Sequence, residues 1–165
     1  MDLITDSLNY INKNFTDIQV VQVGAMDGFS FDDTRGHLEN FKWDEVLVEP
    51  IPEIFDILKN NLKHRNNCVF ENSAITDSDG PVRMLTVERG VIKENDLHPG
   101  YQGMSALFPL KNGFGTDYER DIFVKDNLAK TIDVNGISLS TLIQKHSLDK
   151  IDVFICDAEG YDWMI

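Results

Sequence analysis

Acidic residues, in two cases together with glycine, occur in three short segments at the ends of apolar runs. The segments are GAMDG at 24–28, EP at 49–50 and DAEGYD at 157–162. Glycine lacks a Cβ, so it lets the backbone turn tightly and lets a ligand approach closely. The first segment has the spacing G-x-x-x-G rather than the G-x-G-x-x-G of dinucleotide-binding loops. We therefore expect it to be either a ligand-binding loop or a plain turn after a strand.

Glu49 stands 21 positions after Gly28, at the end of the second apolar run. A carboxylate at about this distance accepts hydrogen bonds from ribose hydroxyls in dinucleotide-binding folds. The alternative is an acid hydrated by solvent at the end of a strand. Together with the glycines, Glu49 favours an adenosine-containing ligand, which leaves open a nicotinamide cofactor or S-adenosylmethionine.

Three carboxylates, Asp157, Glu159 and Asp162, follow the last apolar run. Like charges crowded at a partly buried site raise at least one pKa, which suits a general base or cation binding. An acidic surface loop is the plain alternative. Oxygen ligands also suit Mg²⁺, but paired acids are common without a metal, so we predict no metal site. His98 is a further candidate base, because histidine changes charge near neutral pH.

Apolar runs alternate with amphipathic segments along most of the chain. Strands are predicted at 18–23, 45–49, 68–72, 82–87, 131–134 and 151–156, and helices at 51–62, 139–146 and within the mixed segment 31–41. Strands that alternate with helices predict right-handed βαβ units and a mostly parallel sheet. In such α/β folds, ligands bind at the carboxyl ends of the strands where the strand order switches. The glycines and acids above all follow predicted strands.

The composition is that of one globular domain, with 165 residues, 42% hydrophobic and 26% charged. Fifteen Lys and Arg against 28 Asp and Glu give a net charge of −13, which disfavours nucleic-acid and anionic membrane partners. No apolar run reaches the roughly 20 residues of a membrane span, and the first residues do not have a signal-peptide pattern. Two distant cysteines make no disulfide framework. We expect a cytoplasmic protein.

Four segments, taken in order, resemble the FkbM family of S-adenosylmethionine-dependent methyltransferases. They are VQVGAMDG at 21–28, WDEVLVEPIP at 43–52, NSAI at 72–75 and DVFICDAEGYD at 152–162. The resemblance covers nearly the whole chain from about residue 18. It implies a class I, Rossmann-like methyltransferase domain, with a mostly parallel sheet flanked by helices, that methylates a hydroxyl of a sugar or another small metabolite.

The resemblance also implies a role for each matching residue. Gly24, Ala25 and Gly28 would line the methionine part of the cofactor, and Glu49 would hold the ribose. Ser73 and Ala74 would lie beside the adenine, with Asn72 at the strand end. Asp157 would lie near the transferred methyl group and is the first candidate base, with Glu159 beside it. The predicted cofactor-binding residues are Gln22, Gly24, Ala25, Asp27, Gly28, Glu49, Asn72, Ser73, Ala74 and Asp157, and the predicted catalytic residues are Asp157, Glu159 and His98.

Two features of the chain depart from the family pattern. Many class I members have an acid at the position of Gln22 that helps to hold the ammonium group of the cofactor; a glutamine oxygen still accepts a hydrogen bond, but without the charge. The family fold also continues beyond Ile165. We therefore expect a single methyltransferase-like domain over 1–165 from which C-terminal strands are missing. Residues 88–130, which glycines and prolines punctuate, are expected to form a variable insertion on the acceptor side.

Two other functions stay open at this point. A nicotinamide-dependent enzyme should show the closer glycine spacing, which this chain lacks. A non-catalytic or truncated domain that binds an adenosine ligand is favoured by Gln22 and by the missing C-terminal part. The expected partner is a small-molecule acceptor, a sugar hydroxyl above all, and an open sheet edge would allow a homodimer.

Overall fold

The structure, a computed structural model, describes residues 3–102, 105–107 and 126–165. The chain divides into two compact units. The first contains the described residues up to Asn72 together with Ser147–Cys156, and the second contains those of Ser73–His146 together with Asp157–Ile165.

The first unit is built on a parallel sheet. Within its described residues the strands are β1 (Gln19–Val23), β2 (Asp44–Val48), β3 (Cys68–Glu71) and, late in the chain, β8 (Val153–Cys156); the helices are α1 (Leu3–Asn14), α2 (Arg35–Leu38) and α3 (Pro52–Leu62). All neighbouring strands are parallel, in the order β3-β2-β1-β8. The strand order therefore switches direction between β1 and β8, where ligands bind in sheets of this kind.

Helices cover two separate apolar surfaces of this sheet. α1 and α2 contribute Leu8 and Leu38 to a cluster that contains Val20 of β1. α3 contributes Leu58 and Leu62 to a second cluster. The predicted helix at 51–62 is confirmed as α3: Pro52 occupies its first turn, where a missing N–H costs nothing, and the i, i+4, i+8 apolar positions are buried.

The second unit has a mixed sheet. Its described strands are β4 (Ala74–Ile75), β5 (Gly80–Thr86), β6 (Ala106–Leu107) and β7 (Lys130–Ile137); its helices are α4 (Arg89–Glu94) and α5 (Leu139–Lys145), with 3₁₀ turns at Pro99–Gln102 and Asp162–Met164. The order is β4-β7-β5-β6; β4 and β7 are parallel, whereas β5 is antiparallel to both β7 and β6. The Ser138 hydroxyl accepts a hydrogen bond of 3.1 Å from the Thr141 N–H, so it caps α5.

The α/β class and the parallel sheet are confirmed, and three local expectations change. The segment at 31–41 is helical only over the four residues of α2, α1 has no counterpart among the predicted elements, and the 88–130 segment contains α4 and β6 within its described part. The 103–104 and 108–125 stretches lie outside the described residues. In the part of the chain that the structure describes, none of the helices has the length and apolarity needed to cross a membrane.

Candidate functional site

Three predicted cofactor-binding residues come together at one edge of the parallel sheet. The pairing register aligns Val23 with Val48, and Val48 with Glu71, so β1, β2 and β3 end at the same level. The next residues of these strands are Gly24, Glu49 and Asn72. The alternating apolar runs therefore place all three at the carboxyl edge, as the sequence predicted.

The loop that follows β1 is held tightly through its own backbone. The N–H groups of Gly24 and Ala25 donate to the Val48 carbonyl at 3.0 and 2.9 Å, and the Gly28 N–H donates to the Ala25 carbonyl at 2.9 Å. The Met26 N–H donates to Oε2 of Glu49 at 3.0 Å. The loop after β1 and the end of β2 thus form one hydrogen-bonded structure.

Asp27 fixes the second half of this loop. Its Oδ1 accepts the N–H groups of Phe29 and Ser30 at 3.0 and 2.7 Å, and its Oδ2 accepts the Ser30 hydroxyl at 2.8 Å. Six of the seven N–H groups of residues 24–30 are therefore donors to acceptors within this unit. They do not form the open row of N–H groups that binds phosphate at a helix N-terminus.

Glu49 is buried, with 5% of its surface exposed, and both of its carboxylate oxygens have backbone partners. Oε2 accepts the Met26 N–H, and Oε1 accepts the Ile51 N–H at 2.8 Å. Burial raises the pKa of this carboxyl to about 7; the two backbone hydrogen bonds oppose the shift, and the charge of Asp27 adds to it. Glu49 is therefore an acceptor that changes charge near neutral pH.

Asn72 secures the turn that carries Glu49. Its Nδ2 donates to the carbonyls of Glu49 and Pro50 at 2.8 and 3.1 Å. The Asn72 side chain after β3 therefore fixes the backbone of the two residues that follow β2. The predicted position of Asn72 at a strand end is confirmed, and its contact with a cofactor stays a prediction.

Gly28 allows the loop to lie directly on α3. Its φ is +83°, and a Cβ at this position would come within 2.9 Å of Cδ1 of both Leu58 and Leu62. The Asn61 side chain of the same helix donates to the Asp27 carbonyl at 2.8 Å. The contact with the two leucines requires a residue without a side chain in a left-handed conformation, so packing on α3 explains this glycine.

Gln22 belongs to a buried polar network. Its amide oxygen accepts a hydrogen bond of 3.0 Å from Nη2 of Arg35, and its amide nitrogen donates a hydrogen bond of 2.9 Å to Oδ2 of Asp32. Burial raises the pKa of Asp32, but the hydrogen bonds from Gln22 and Thr34 and the charge of Arg35 outweigh it, so the pKa lies below its usual range. An ammonium group that approached Gln22 would meet an oxygen already engaged by a guanidinium. The predicted contact between Gln22 and the ammonium group of the cofactor stays a prediction, and the hydrogen bond from Arg35 to the Gln22 oxygen argues against it.

Sequence reasoning missed the charged centre of that network. Arg35 and Arg65 each contact one oxygen of Glu45, which lies in β2, at 2.8 and 2.5 Å. All three side chains are less than a tenth exposed. Burial raises the pKa of Glu45, and the two arginines oppose that shift. The signal was present in the sequence, since an acid inside an apolar strand must find a cationic partner when it is buried.

The acidic loop of the second unit is organised by Asp162. Its two carboxylate oxygens accept the N–H groups of Ala158 and Gly160 at 2.7 and 3.1 Å. Glu159 has a left-handed φ of 50°. Burial, together with the charges of Asp157 and Asp162, raises the pKa of Glu159 to about 7. The expected raised pKa therefore falls on Glu159, whereas Asp157 is exposed.

The remaining predicted residues also lie in the second unit. His98 is exposed, and its Nδ1 accepts the Gly100 N–H at 3.1 Å. Ser73 is fully buried and its hydroxyl accepts a hydrogen bond of 3.0 Å from Asn135, while Ala74 begins β4. The roles predicted for them stay predictions. Over residues 3–102, 105–107 and 126–165, no group of three or more His, Cys, Asp or Glu is arranged to hold a metal ion.

A comparison with protein-family models matches most of this chain. A family described as "Methyltransferase FkbM domain" matches residues 22–165. Searches of curated proteins and of solved structures return no significant match. The matched range contains the loop after β1, Glu49, Asn72 and the acidic loop at 157–162.

Proposed function

Since the chain belongs to the FkbM methyltransferase family, we propose that it transfers a methyl group from S-adenosylmethionine to a hydroxyl oxygen of a sugar or another small metabolite. The observation that carries the choice of cofactor is the hydrogen bonding of the loop after β1. The proposal includes a cytoplasmic location, which the two free thiols, Cys68 and Cys156, support.

The loop after β1 fits a cofactor without phosphates. A dinucleotide places its pyrophosphate on backbone N–H groups that point outward from a glycine-rich turn. Here those groups donate to Val48, Ala25, Asp27 and Glu49 instead. The carboxylates of Asp27 and Glu49 would also repel a pyrophosphate. S-adenosylmethionine has no phosphate and carries positive charge on its methionine end, which an acidic loop attracts.

Each part of the edge has a role in this proposal. The 24–28 loop contacts the methionine end, with Gly24 and Ala25 offering little side-chain bulk. Glu49 accepts hydrogen bonds from the ribose hydroxyls through the lone pairs that the Met26 and Ile51 N–H groups leave open. Hydroxyl donors favour the charged form of a carboxyl, so ribose binding stabilises Glu49 as the carboxylate.

The acceptor hydroxyl needs a proton acceptor, because a neutral hydroxyl is a poor nucleophile. When bound, the cofactor supplies the electrophilic methyl carbon. A side chain whose pKa lies near the working pH is the most effective base, and Glu159 has a pKa of about 7. We assign the base to the 157–162 loop, with Glu159 ahead of Asp157, the first choice from sequence, because Asp157 is exposed.

A calorimetric titration with S-adenosylhomocysteine, with NAD in parallel, tests the cofactor assignment. We expect saturable binding of S-adenosylhomocysteine alone. Glu49→Gln should weaken it by about 10-fold or more, because a hydrogen bond to a charged group is lost. Glu53→Gln removes an exposed carboxyl from the first turn of α3 and should leave it unchanged. Saturable binding of NAD, or equal binding by wild type and Glu49→Gln, would overturn the assignment.

A domain that binds the cofactor without catalysis is the second candidate. The contact between the Gln22 oxygen and Arg35 favours it, because that oxygen is then poorly available to orient the methionine end. Binding of S-adenosylhomocysteine without methyl transfer to any of a panel of sugars and small alcohols would support this candidate. Methyl transfer to one member of the panel would exclude it.

A further inference from the structure

The last turn of α3 supports the second half of the loop after β1. Asn61 and Leu62 follow Leu58 by three and four positions, so all three lie on one face of the helix. The two leucines are buried and leave room only for a glycine at position 28. Between them, Nδ2 of Asn61 donates a hydrogen bond of 2.8 Å to the Asp27 carbonyl. We call Leu58, Asn61 and Leu62 the α3 support.

The first half of the same loop is held by a different element. The N–H groups of Gly24 and Ala25 donate to the Val48 carbonyl, and the Met26 N–H donates to the Glu49 carboxylate. These acceptors belong to β2 and to the residue directly after it. The loop is therefore attached to β2 at its beginning and to α3 at its end. A change in the α3 support can displace residues 27 and 28 while the attachment to Glu49 is kept.

The peptide unit between Asp27 and Gly28 is fixed through both of its polar groups. Its carbonyl accepts the hydrogen bond from Asn61, and its N–H donates to the Ala25 carbonyl at 2.9 Å. A peptide unit is planar, so partners on both sides determine its orientation. The glycine would otherwise allow this unit to rotate, because it restricts φ and ψ less than any other residue. Asn61 therefore controls the orientation of the loop as well as its position.

We propose that Asn61 is a positioning residue for the methionine end of the cofactor: it holds the 27–28 peptide in the orientation in which the loop binds that end, without contacting the cofactor itself. The inference rests on the proposed function, which places the methionine end against the 24–28 loop and the ribose on Glu49. Loss of the Asn61 amide should therefore weaken the binding of the methionine part and leave the binding of the adenosine part unchanged.

The test compares S-adenosylhomocysteine with 5′-methylthioadenosine, which has the same adenosine and sulfur but lacks the amino-acid part. Both are titrated into the wild type and into Asn61→Ala, by calorimetry for the first and by ¹H–¹⁵N NMR for the second. We expect Asn61→Ala to bind S-adenosylhomocysteine about two- to tenfold more weakly, the factor that corresponds to one hydrogen bond. The affinity for 5′-methylthioadenosine should not change.

Asn60→Ala is the matched control. Asn60 precedes Asn61 in α3, and its exposed side chain contacts Lys63 of the next turn rather than the loop. Both variants replace asparagine by alanine in the same helix, so the change in helix propensity is shared, and Asn60→Ala should bind both ligands as the wild type does. Asn61 is not one of the buried residues of α3, so both variants should fold, which thermal unfolding checks. A third variant, Glu49→Gln, should weaken both ligands, because each contains the ribose.

Three results would overturn the inference. Unchanged binding of S-adenosylhomocysteine by Asn61→Ala would show that the loop binds without this hydrogen bond. Equal weakening of both ligands would show a general structural role, and an equal effect of Asn60→Ala would assign the change to the helix.

Failure of the proposed function is distinguishable from failure of this inference. If the wild type does not bind S-adenosylhomocysteine, the proposed function fails, and hydrogen exchange of the free protein then tests Asn61 alone. The Gly28 amide should exchange about two- to tenfold faster in Asn61→Ala than in Asn60→Ala, because one hydrogen bond that closes the loop is lost. Equal exchange in the two variants would show that Asn61 does not hold the loop.

Discussion

Replacing Glu49 with glutamine should change how the stability of the protein depends on pH. Glu49 is buried, both of its oxygens accept backbone N–H groups, and its pKa in the folded protein is about 7 against 4.5 for an ordinary glutamate. The folded state therefore holds a proton on Glu49 in a pH range where the unfolded chain has lost it. Linkage then requires stability to fall as pH rises between about 4.5 and 7.

The size of the effect follows from the difference between the two pKa values. One pKa unit corresponds to about 1.4 kcal/mol, so the wild type should lose roughly 2 to 3 kcal/mol through Glu49 between pH 5 and pH 8. Glu49→Gln has no such group. The variant instead leaves one of the two N–H groups without an acceptor, at a cost of about 1–3 kcal/mol that does not depend on pH.

Urea unfolding of both proteins at pH 5, 6, 7 and 8 measures the effect. The unfolding free energy of the wild type minus that of Glu49→Gln should fall by roughly 2 to 3 kcal/mol from pH 5 to pH 8. Glu159, whose pKa is also raised to about 7, adds the same slope to both proteins and cancels in the difference. A difference that stays constant across the four pH values would refute the argument that burial of Glu49 governs its charge.

Three further predictions follow from particular contacts. Gly28→Ala should lower the free energy of unfolding by about 2 kcal/mol in thermal unfolding, because alanine would have to adopt a left-handed φ and its Cβ would lie 2.9 Å from two leucines. The control is Gly90→Ala in α4, where a Cβ has open space around it, and this variant should not be less stable. Equal losses in the two variants would contradict the packing argument. Arg35→Met should cost about 3–5 kcal/mol in urea unfolding because Glu45 loses a buried partner; a loss below 1 kcal/mol would show that Arg65 alone suffices. Asp157→Asn should lower the pKa of Glu159 in a ¹³C carboxyl titration, since Asp157 contributes to its rise; an unchanged titration would leave burial and Asp162 as its causes.

The edge of the parallel sheet was predictable because it depends on strand periodicity alone. Once the apolar runs are taken as parallel strands, Gly24, Glu49 and Asn72 must follow three neighbouring strand ends, and the structure places them there. The amphipathic spacing in α3 was readable for the same reason. In each case the spacing of the apolar residues indicates which face of the helix or strand is buried.

The sequence indicates that a buried acid such as Glu45 needs a partner, but it does not say which residues are the partners of the buried polar side chains. The engagement of Gln22 by Arg35, and of Glu45 by two arginines, joins residues from different elements, and nothing in local spacing pairs them. The mixed sheet escaped prediction because β5 pairs with β7 across a long intervening segment. Met26 in the loop after β1 has a left-handed φ of 47°, a conformation that the sequence does not predict for a methionine.

The most direct test of the cofactor assignment is a residue-resolved titration of S-adenosylhomocysteine by ¹H–¹⁵N NMR, with NAD titrated in parallel. The account predicts saturable shifts of the amides of Gly24–Gly28 and of Glu49 and Asn72 with S-adenosylhomocysteine, and no saturable shifts at these residues with NAD. Saturable shifts of the same amides with NAD, or S-adenosylhomocysteine shifts confined to other residues, would contradict the conclusion that this loop is built for a cofactor without phosphates.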